Sequence, residues 1–221
     1  MEQNLEPVKP RRRYDARQRR AQARATRRAV LATAGQLFAD RGYQRTSMKD
    51  IAAGAGVSVE TVYGYFGAKA GLLKELLDVT VAGDDAPVPV AGRAPVQAIR
   101  AAPDGRTKLA LYAAFLATVQ ARLAPLYLII RGAAEADQDA ADLRAELGAQ
   151  RLTGMTMLAA DLAGDGVLAP GCSVEEARDE LWALGAIEVY ELLVRQRGWS
   201  PDRYRDWLVD VWASRLLAEP G

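Results

Sequence analysis

An all-α fold is what this sequence predicts, arranged as a small three-helix domain followed by a larger helical one. Three observations carry the prediction. Ala and Leu, both strong helix formers, dominate a chain of 221 residues that is 50% hydrophobic and 26% charged. Alternating runs of β-branched residues, the period of a strand, are almost absent. Capping residues and glycines punctuate the chain at helix-length intervals.

Residues 1–20 (MEQNLEPVKPRRRYDARQRR) are polar and basic with no apolar face, which predicts a disordered basic arm. The first helix is expected over Ala21–Arg41, where Val30, Ala34, Leu37 and Phe38 recur at helical spacing and Gly42 supplies the stop. Thr46 or Ser47 caps a second short helix, SMKDIAAGAG, and Ser47 with Asp50 resembles a capping box. Ser58 caps a third, VETVYGYF, and Gly67 or Ala68 opens a longer helix through Leu72, Leu73 and Leu76. From Gly83 to about Pro95 the sequence GDDAPVPVAGRAP reads as a linker. Further helices are expected over Asp104–Leu123, Pro125–Ala136, Asp139–Ala163 and Val174–Arg197, the last opened by Ser173 and Glu176. A final one runs from Ser200 and Pro201 to about Leu217. The organisation expected is thus an arm (1–20), a helix-turn-helix domain (21–67) and a helical domain (68–221).

Composition removes several chemistries. The chain has no His and one Cys, so an internal disulfide, an imidazole base and a His-ligated metal are excluded. Neither a glycine-rich phosphate loop nor paired ligand spacing is present, so no cofactor, no metal and no enzyme is expected, with carboxylate chemistry the one route left. Cys172, in APGCSVEE, is either a small loop residue or a thiol activated by a helix N-terminus. No apolar run approaches the roughly 20 residues that span a bilayer, and the N-terminal arginines have no apolar segment behind them. A cytoplasmic protein with no membrane partner is the expectation. The net charge of +1 hides an asymmetry: through Lys74 the chain carries 15 Lys and Arg against 6 Asp and Glu, and after it 14 against 22. A basic end on an acidic body points to a polyanion partner for that end alone.

Two short capped helices joined by a glycine-bearing turn, behind a longer helix, are the layout of a helix-turn-helix. In that motif the second short helix enters the DNA major groove, so double-stranded DNA is the expected partner. The stretch TSMKDIAAGAGVSVETVYGYFGAKAGLL closely resembles the signature of the tetracycline-repressor (TetR) family of transcriptional regulators. Thr46, Ile51, Ala52, Ala55, Gly56, Val57, Ser58, Thr61, Tyr63, Tyr65, Phe66, Lys69 and Leu72 stand at its matching positions. Ile51, Val57, Val62 and Phe66 form the apolar set that holds the helices together. Thr61, Tyr63 and Lys69 carry donors that can face phosphate, and Lys69 with the amides opening the fourth helix makes a positive helix end. Thr46 or Ser47 does likewise at the second helix. Ser58, Val59, Glu60 and Gly64 fall nearest the base edges, while Tyr65 is either core or contact. Glu60 departs from the pattern, which often has Gly there; it is either a base reader or turned away. Arg11, Arg12 and Arg13 in the arm are either solvated or placed to track phosphates or enter a minor groove.

The resemblance implies a homodimer joined through the last two helices, whose apolar faces offer Trp182, Leu192, Trp207 and Val211, unless these are internal core. It also implies a small-molecule effector pocket in the middle helices. Tyr112, Phe115, Tyr127 and Met155 lie on apolar stripes there, and Arg131 and Glu188 are polar residues within such stripes, either pocket groups or surface and ion-pair groups. The function implied is a repressor released from a palindromic operator by an unidentified effector. A ligand-independent DNA-binding regulator and an all-helical enzyme are the alternatives.

Overall fold

A computed structural model describes residues 11–84, 86 and 88–218, with side chains described from Arg17 onward. No β-strand occurs among the described residues, only an isolated bridge between Leu168 and Leu217. The chain divides into two compact units between Glu75 and Leu76.

In the first unit, α1 spans Arg11–Arg41, beginning ten residues before the expected Ala21 start and correcting the disordered reading for residues 11–20. The reason is local: from Arg11 to Ala34 the chain contains neither Pro nor Gly and is rich in Arg, Ala and Gln, all good helix formers. An apolar face is not needed for a helix to exist. Residues 1–10 of the expected arm, and the side chains of Arg11, Arg12 and Arg13, lie outside the described residues. Val30, Leu31, Ala34 and Phe38 form the buried face of α1, and nearly everything from Arg17 to Ala29 is exposed.

Next come α2 (Met48–Ala55), α3 (Val59–Phe66) and α4 (Lys69–Ala82), the last crossing the division at Glu75. Gly56, at φ 67°, ends α2 in the left-handed region and turns the chain toward α3. Two other glycines permit close approach. A Cβ at Gly54 would stand 2.8 Å from the Thr33 methyl of α1, and one at Gly71 would stand 2.3 Å from the backbone oxygen of Phe66. The first lets α2 press on α1; the second lets α4 start directly against the end of α3.

In the second unit, a 3₁₀ turn (Val90–Gly92) and α5 (Ala94–Arg100) occupy part of the expected linker. Pro95 opens α5 rather than breaking it, because a first-turn residue needs no N–H, and Ile99 anchors the helix in the core. Then α6 runs unbroken over Gly105–Ala133, joining the two helices expected on either side of Pro125. A proline inside a helix costs about 3 kcal/mol; burial of Ala124, Leu126 and Ile130 across the site outweighs it. The same helix corrects the expectation that no segment is long enough for a bilayer: by length and composition α6 qualifies. Its apolar groups are spent otherwise, since Leu109, Ala113 and Leu116 lie in the core with Leu208, Trp212 and Leu216.

After α7 (Gln138–Gly164) comes α8 (Val174–Leu184), which stops at Gly185 where the sequence predicts an uninterrupted helix to Arg197. The chain resumes as α9 (Ile187–Tyr190) and a π-helical turn (Glu191–Gln196), then α10 (Pro201–Leu216). Packing explains the interruption. A Cβ at Gly185 would lie 3.0 Å from Leu116 and 3.2 Å from Trp212, and its carbonyl accepts from the buried Gln120 side chain at 2.9 Å. Tertiary contact thus replaces the helical bond that this carbonyl gives up.

Three helix caps share one design. Asp50 on Ser47, Asp104 on Thr107 and Glu176 on Ser173 are carboxylates bonded to hydroxyls and amides, and these hydrogen bonds hold each below its ordinary value of 3.8 for Asp or 4.5 for Glu. A depressed folded pKa gives stability that is complete above the ordinary value and lost as pH falls through the folded one. The melting temperature is therefore expected to be level from neutrality to about pH 5 and to fall below about pH 4. Asp50→Asn should flatten part of that acid limb in a thermal melt series.

Candidate nucleic-acid interface and interior aromatic cluster

The face that α3 presents is set by helical spacing. Val62 and Phe66 are buried and Val59 half-buried, which turns this side toward α1 and α2. Glu60, Tyr63, Gly64 and Gly67 follow at intervals of three and four on the opposite side, and all are exposed. Tyr63 is 50% exposed, high for a ring of its size.

Several expected contact groups are occupied by the fold. The Ser58 hydroxyl caps α3 by accepting from the Thr61 N–H at 3.2 Å and lies 3.0 Å from the Thr61 hydroxyl; both oxygens retain capacity to bond outward. Ser47, exposed, is the cap of α2: its hydroxyl accepts from the Asp50 N–H at 3.1 Å while the Asp50 carboxylate accepts from the Ser47 N–H at 2.9 Å. Thr46 is corrected from contact to core. It is 1% exposed, and its hydroxyl donates toward the Leu37 and Gly42 carbonyls at 3.2 and 2.9 Å, tying the end of α1 to the turn before α2. Lys69, half-buried at the start of α4, donates to the Tyr43 carbonyl at 3.1 Å with its ammonium 4.1 Å from the Tyr43 ring centre. Tyr65 is half-buried, edge-on to Phe66 at 6.0 Å.

Gly64 has no structural demand upon it, unlike Gly42, Gly54, Gly56, Gly67 and Gly71. Its backbone angle is ordinary, and a Cβ there would meet nothing within 4 Å. Glycine inside a helix costs about 0.5–1 kcal/mol relative to alanine. Gly64→Ala is therefore expected to raise the stability of this unit by about that amount, and a methyl added to the open face of α3 is expected to weaken DNA binding. A thermal melt paired with a gel shift checks both halves.

Within the second unit, the aromatic residues of α6 and α10 meet. Tyr112 lies 6.4 Å from Phe115 and 5.8 Å from Trp212, ring centre to ring centre. Tyr204 stands two turns before Trp212 on α10 and packs edge-on to Tyr190 at 5.2 Å. Three polar atoms in this region are buried without a well-formed hydrogen bond: Gln120 Oε1, Trp212 Nε1 and the Tyr204 hydroxyl, which has only the Gln120 side chain beside it. Such groups are costly unless water or a ligand satisfies them. Burial pushes the Tyr112 and Tyr204 hydroxyls well above the ordinary tyrosine range, with Gln120 beside Tyr204 pulling the other way.

Of the expected pocket groups, Tyr127 and Glu188 come together, the hydroxyl donating to the carboxylate at 2.7 Å. Burial and this bond push Tyr127 up to about 12. Met155 is fully buried in the core, and Arg131 is exposed, its place on the surface correcting the pocket reading. The cation that does face the cluster is Arg151 of α7. Burial lowers its pKa, with Tyr112, Glu188, Tyr127 and Tyr204 drawing it back up, and its guanidinium donates to the Trp182 carbonyl at 2.7 Å and lies 4.6 Å from that ring's centre. Gln120, within FLATVQARL, obeys the same rule of a polar residue in an apolar stripe that singled out Glu188. Arg151 sits in a polar stretch and had no such signal.

The expected dimer residues divide by exposure. Trp182 and Leu192 are 42% and 53% exposed, whereas Trp207 and Val211 are half-buried, Trp207 within 6.1 Å of both Trp199 and Tyr204. Cys172 is half-buried, and burial with the Glu176 and Glu180 charges raises its pKa, the opposite of an activated thiol. Among the described residues no group of three or more His, Cys, Asp or Glu is placed to hold a metal ion.

Capped α2, a left-handed glycine turn and an α3 with one apolar and one open face define a helix-turn-helix DNA-binding domain. The sequence model for "Bacterial regulatory proteins, tetR family" matches residues 30–76, the stretch that contains all of these features. Residues 30–76 are thus a DNA-binding domain of the tetR kind, and the match covers that stretch of the chain alone. Solved structures share the fold over most of their length. NalD of Pseudomonas aeruginosa, the secondary repressor of the MexAB-OprM multidrug efflux pump, is 23% identical, with a TM-score of 0.69 over 89% of this chain and 99% of its own. A transcriptional regulator from Saccharomonospora viridis, in complex with choline, is 24% identical, with a TM-score of 0.63 over 87% and 98%. A TetR-family regulator from Rhodococcus is 18% identical, with a TM-score of 0.63 over 84% and 95%. The search of curated proteins gave no match.

Proposed function

We propose that this chain is a cytoplasmic, non-enzymatic transcriptional repressor that binds a palindromic operator as a homodimer and leaves it when a small molecule occupies the α6–α10 aromatic cluster. The observation that carries the DNA-binding half is the outward face of α3, exposed at Glu60, Tyr63 and Gly64 with the apolar residues all on the other side. Exposed Ser47 and Ser58, the latter with Thr61 beside it, stand at the two helix N-termini where phosphates are favoured. A single head covers a short half-site, so a two-fold dimer with recognition helices about 34–36 Å apart is the working form. Trp182 and Leu192 are apolar groups left exposed for such an interface.

The sensing half rests on the three poorly bonded polar atoms and the rings around them. An effector that satisfies Gln120, Tyr204 and Trp212 in one state of the body shifts DNA affinity by its differential affinity, typically about 1–3 kcal/mol. Choline is the ligand of the Saccharomonospora protein; here Arg151 beside Tyr112 and Tyr127 disfavours a second cation, so neutral or anionic aromatic compounds come first. The test is selection of bound sequences from a random DNA pool, followed by a compound screen read by thermal shift and operator release. No consensus would remove the DNA-binding half; a consensus with no compound active on release would remove only the sensing half.

A further inference from the structure

Of the outward positions on α3, Gly64 and Gly67 have no side chain, so Glu60 and Tyr63 alone extend from that face. Tyr63 can donate, accept or stack. Glu60, in the first turn, can only accept as a carboxylate. Among the described residues no hydrogen bond or ion pair holds it, although several neighbours in this unit are tied down: Asp50 to Ser47, Glu75 to Arg27, Lys69 to Tyr43. An unpaired carboxylate on the face that meets phosphates is repelled wherever it finds no donor. In the major groove the donors are the amino groups of cytosine and adenine, and the N-terminal residues of a recognition helix are those that reach base edges. Cytosine N4 is flanked by a C–H, whereas adenine N6 sits beside the N7 acceptor, which repels the second carboxylate oxygen.

We infer that Glu60 is a specificity-determining residue that accepts a hydrogen bond from cytosine N4 at one position in each operator half-site. This rests on the DNA-binding reading above. The carboxylate contributes discrimination rather than affinity: it rejects guanine and thymine, whose groove edges are acceptors, and it weakens binding to DNA in general. A helix N-terminus also favours an acidic residue, which bears on the melting temperature of α3 but not on which base is preferred.

The full-length chain, Glu60→Ala and Glu60→Gln are each put through selection from a random DNA pool, with circular dichroism to check that the variants fold. The wild type is expected to return a half-site with one cytosine position preferred by about 5- to 150-fold. Glu60→Ala levels that position alone and binds non-cognate DNA more tightly. Glu60→Gln moves the preference there toward adenine, the base a carboxamide matches in two bonds. A wild-type consensus that Glu60→Ala leaves unchanged, or that contains no such cytosine, overturns the assignment while the DNA-binding function stands. A folded wild type that returns no consensus overturns both.

Discussion

Trp212→Ala is expected to lower the stability of the helical body by about 3–5 kcal/mol, the cost of emptying a fully buried tryptophan site. Trp212 is 0% exposed, stacks near Tyr112 and lies against Gly185 at the interruption between α8 and α9. Glycine already stands opposite the ring because nothing larger fits, so the neighbours cannot easily collapse into the void. Urea unfolding of the variant should show a lower midpoint with an unchanged slope. Trp212→Phe separates packing from chemistry. It keeps most of the ring and removes an N–H that has no partner, so its stability cost should be far smaller. If Nε1 donates to an effector, this variant stays folded, binds operator and loses its response. A Trp212→Phe protein with a normal response would exclude that role.

Gly71→Ala carries the next largest effect, on the other unit. The added methyl would stand 2.3 Å from the Phe66 carbonyl oxygen, and backbone cannot step aside as a flexible side chain can. Overpacking of this kind costs about 1–3 kcal/mol and occasionally more. Because Phe66 ends α3, relief of the clash re-aims the helix that carries Glu60 and Tyr63. Gly71→Ala should therefore lower both melting temperature and DNA affinity, whereas Gly64→Ala raises the first and lowers the second. Equal melting temperatures for Gly71→Ala and wild type would show that the end of α3 yields.

The head of the molecule was legible in the sequence because its signals are local. Ser47 with Asp50, Gly56 and Ser58 fix two short helices within about two residues of their bounds. Where the reading departed from the structure, distant partners decide. Pro125 predicts a break only until Ala124, Leu126 and Ile130 are seen to be buried across it, and Gly185 marks an interruption only once Gln120 reaches its carbonyl. Thr46 fits a cap or a contact equally well in sequence; what commits it inward is the carbonyl of Leu37, nine residues away. Arg151 was invisible for the same reason, since it bonds to and stacks on Trp182 of α8, and the other groups whose charge it feels lie on α6, α9 and α10.

The exposed half of α1 has a consequence for how the protein is handled. From Arg17 to Ala29 almost no side chain is buried, so this segment is held by its own backbone bonds and by little tertiary burial. Helices of that kind open at low free energy. Its amides should exchange with deuterium well before those around Val30 and Phe38, and brief trypsin treatment should cut between Arg17 and Arg24 while the remainder stays intact. A nicked preparation would keep the recognition helix and lose whatever the basic segment contributes, which makes the integrity of this region the first thing to verify before any binding curve is interpreted.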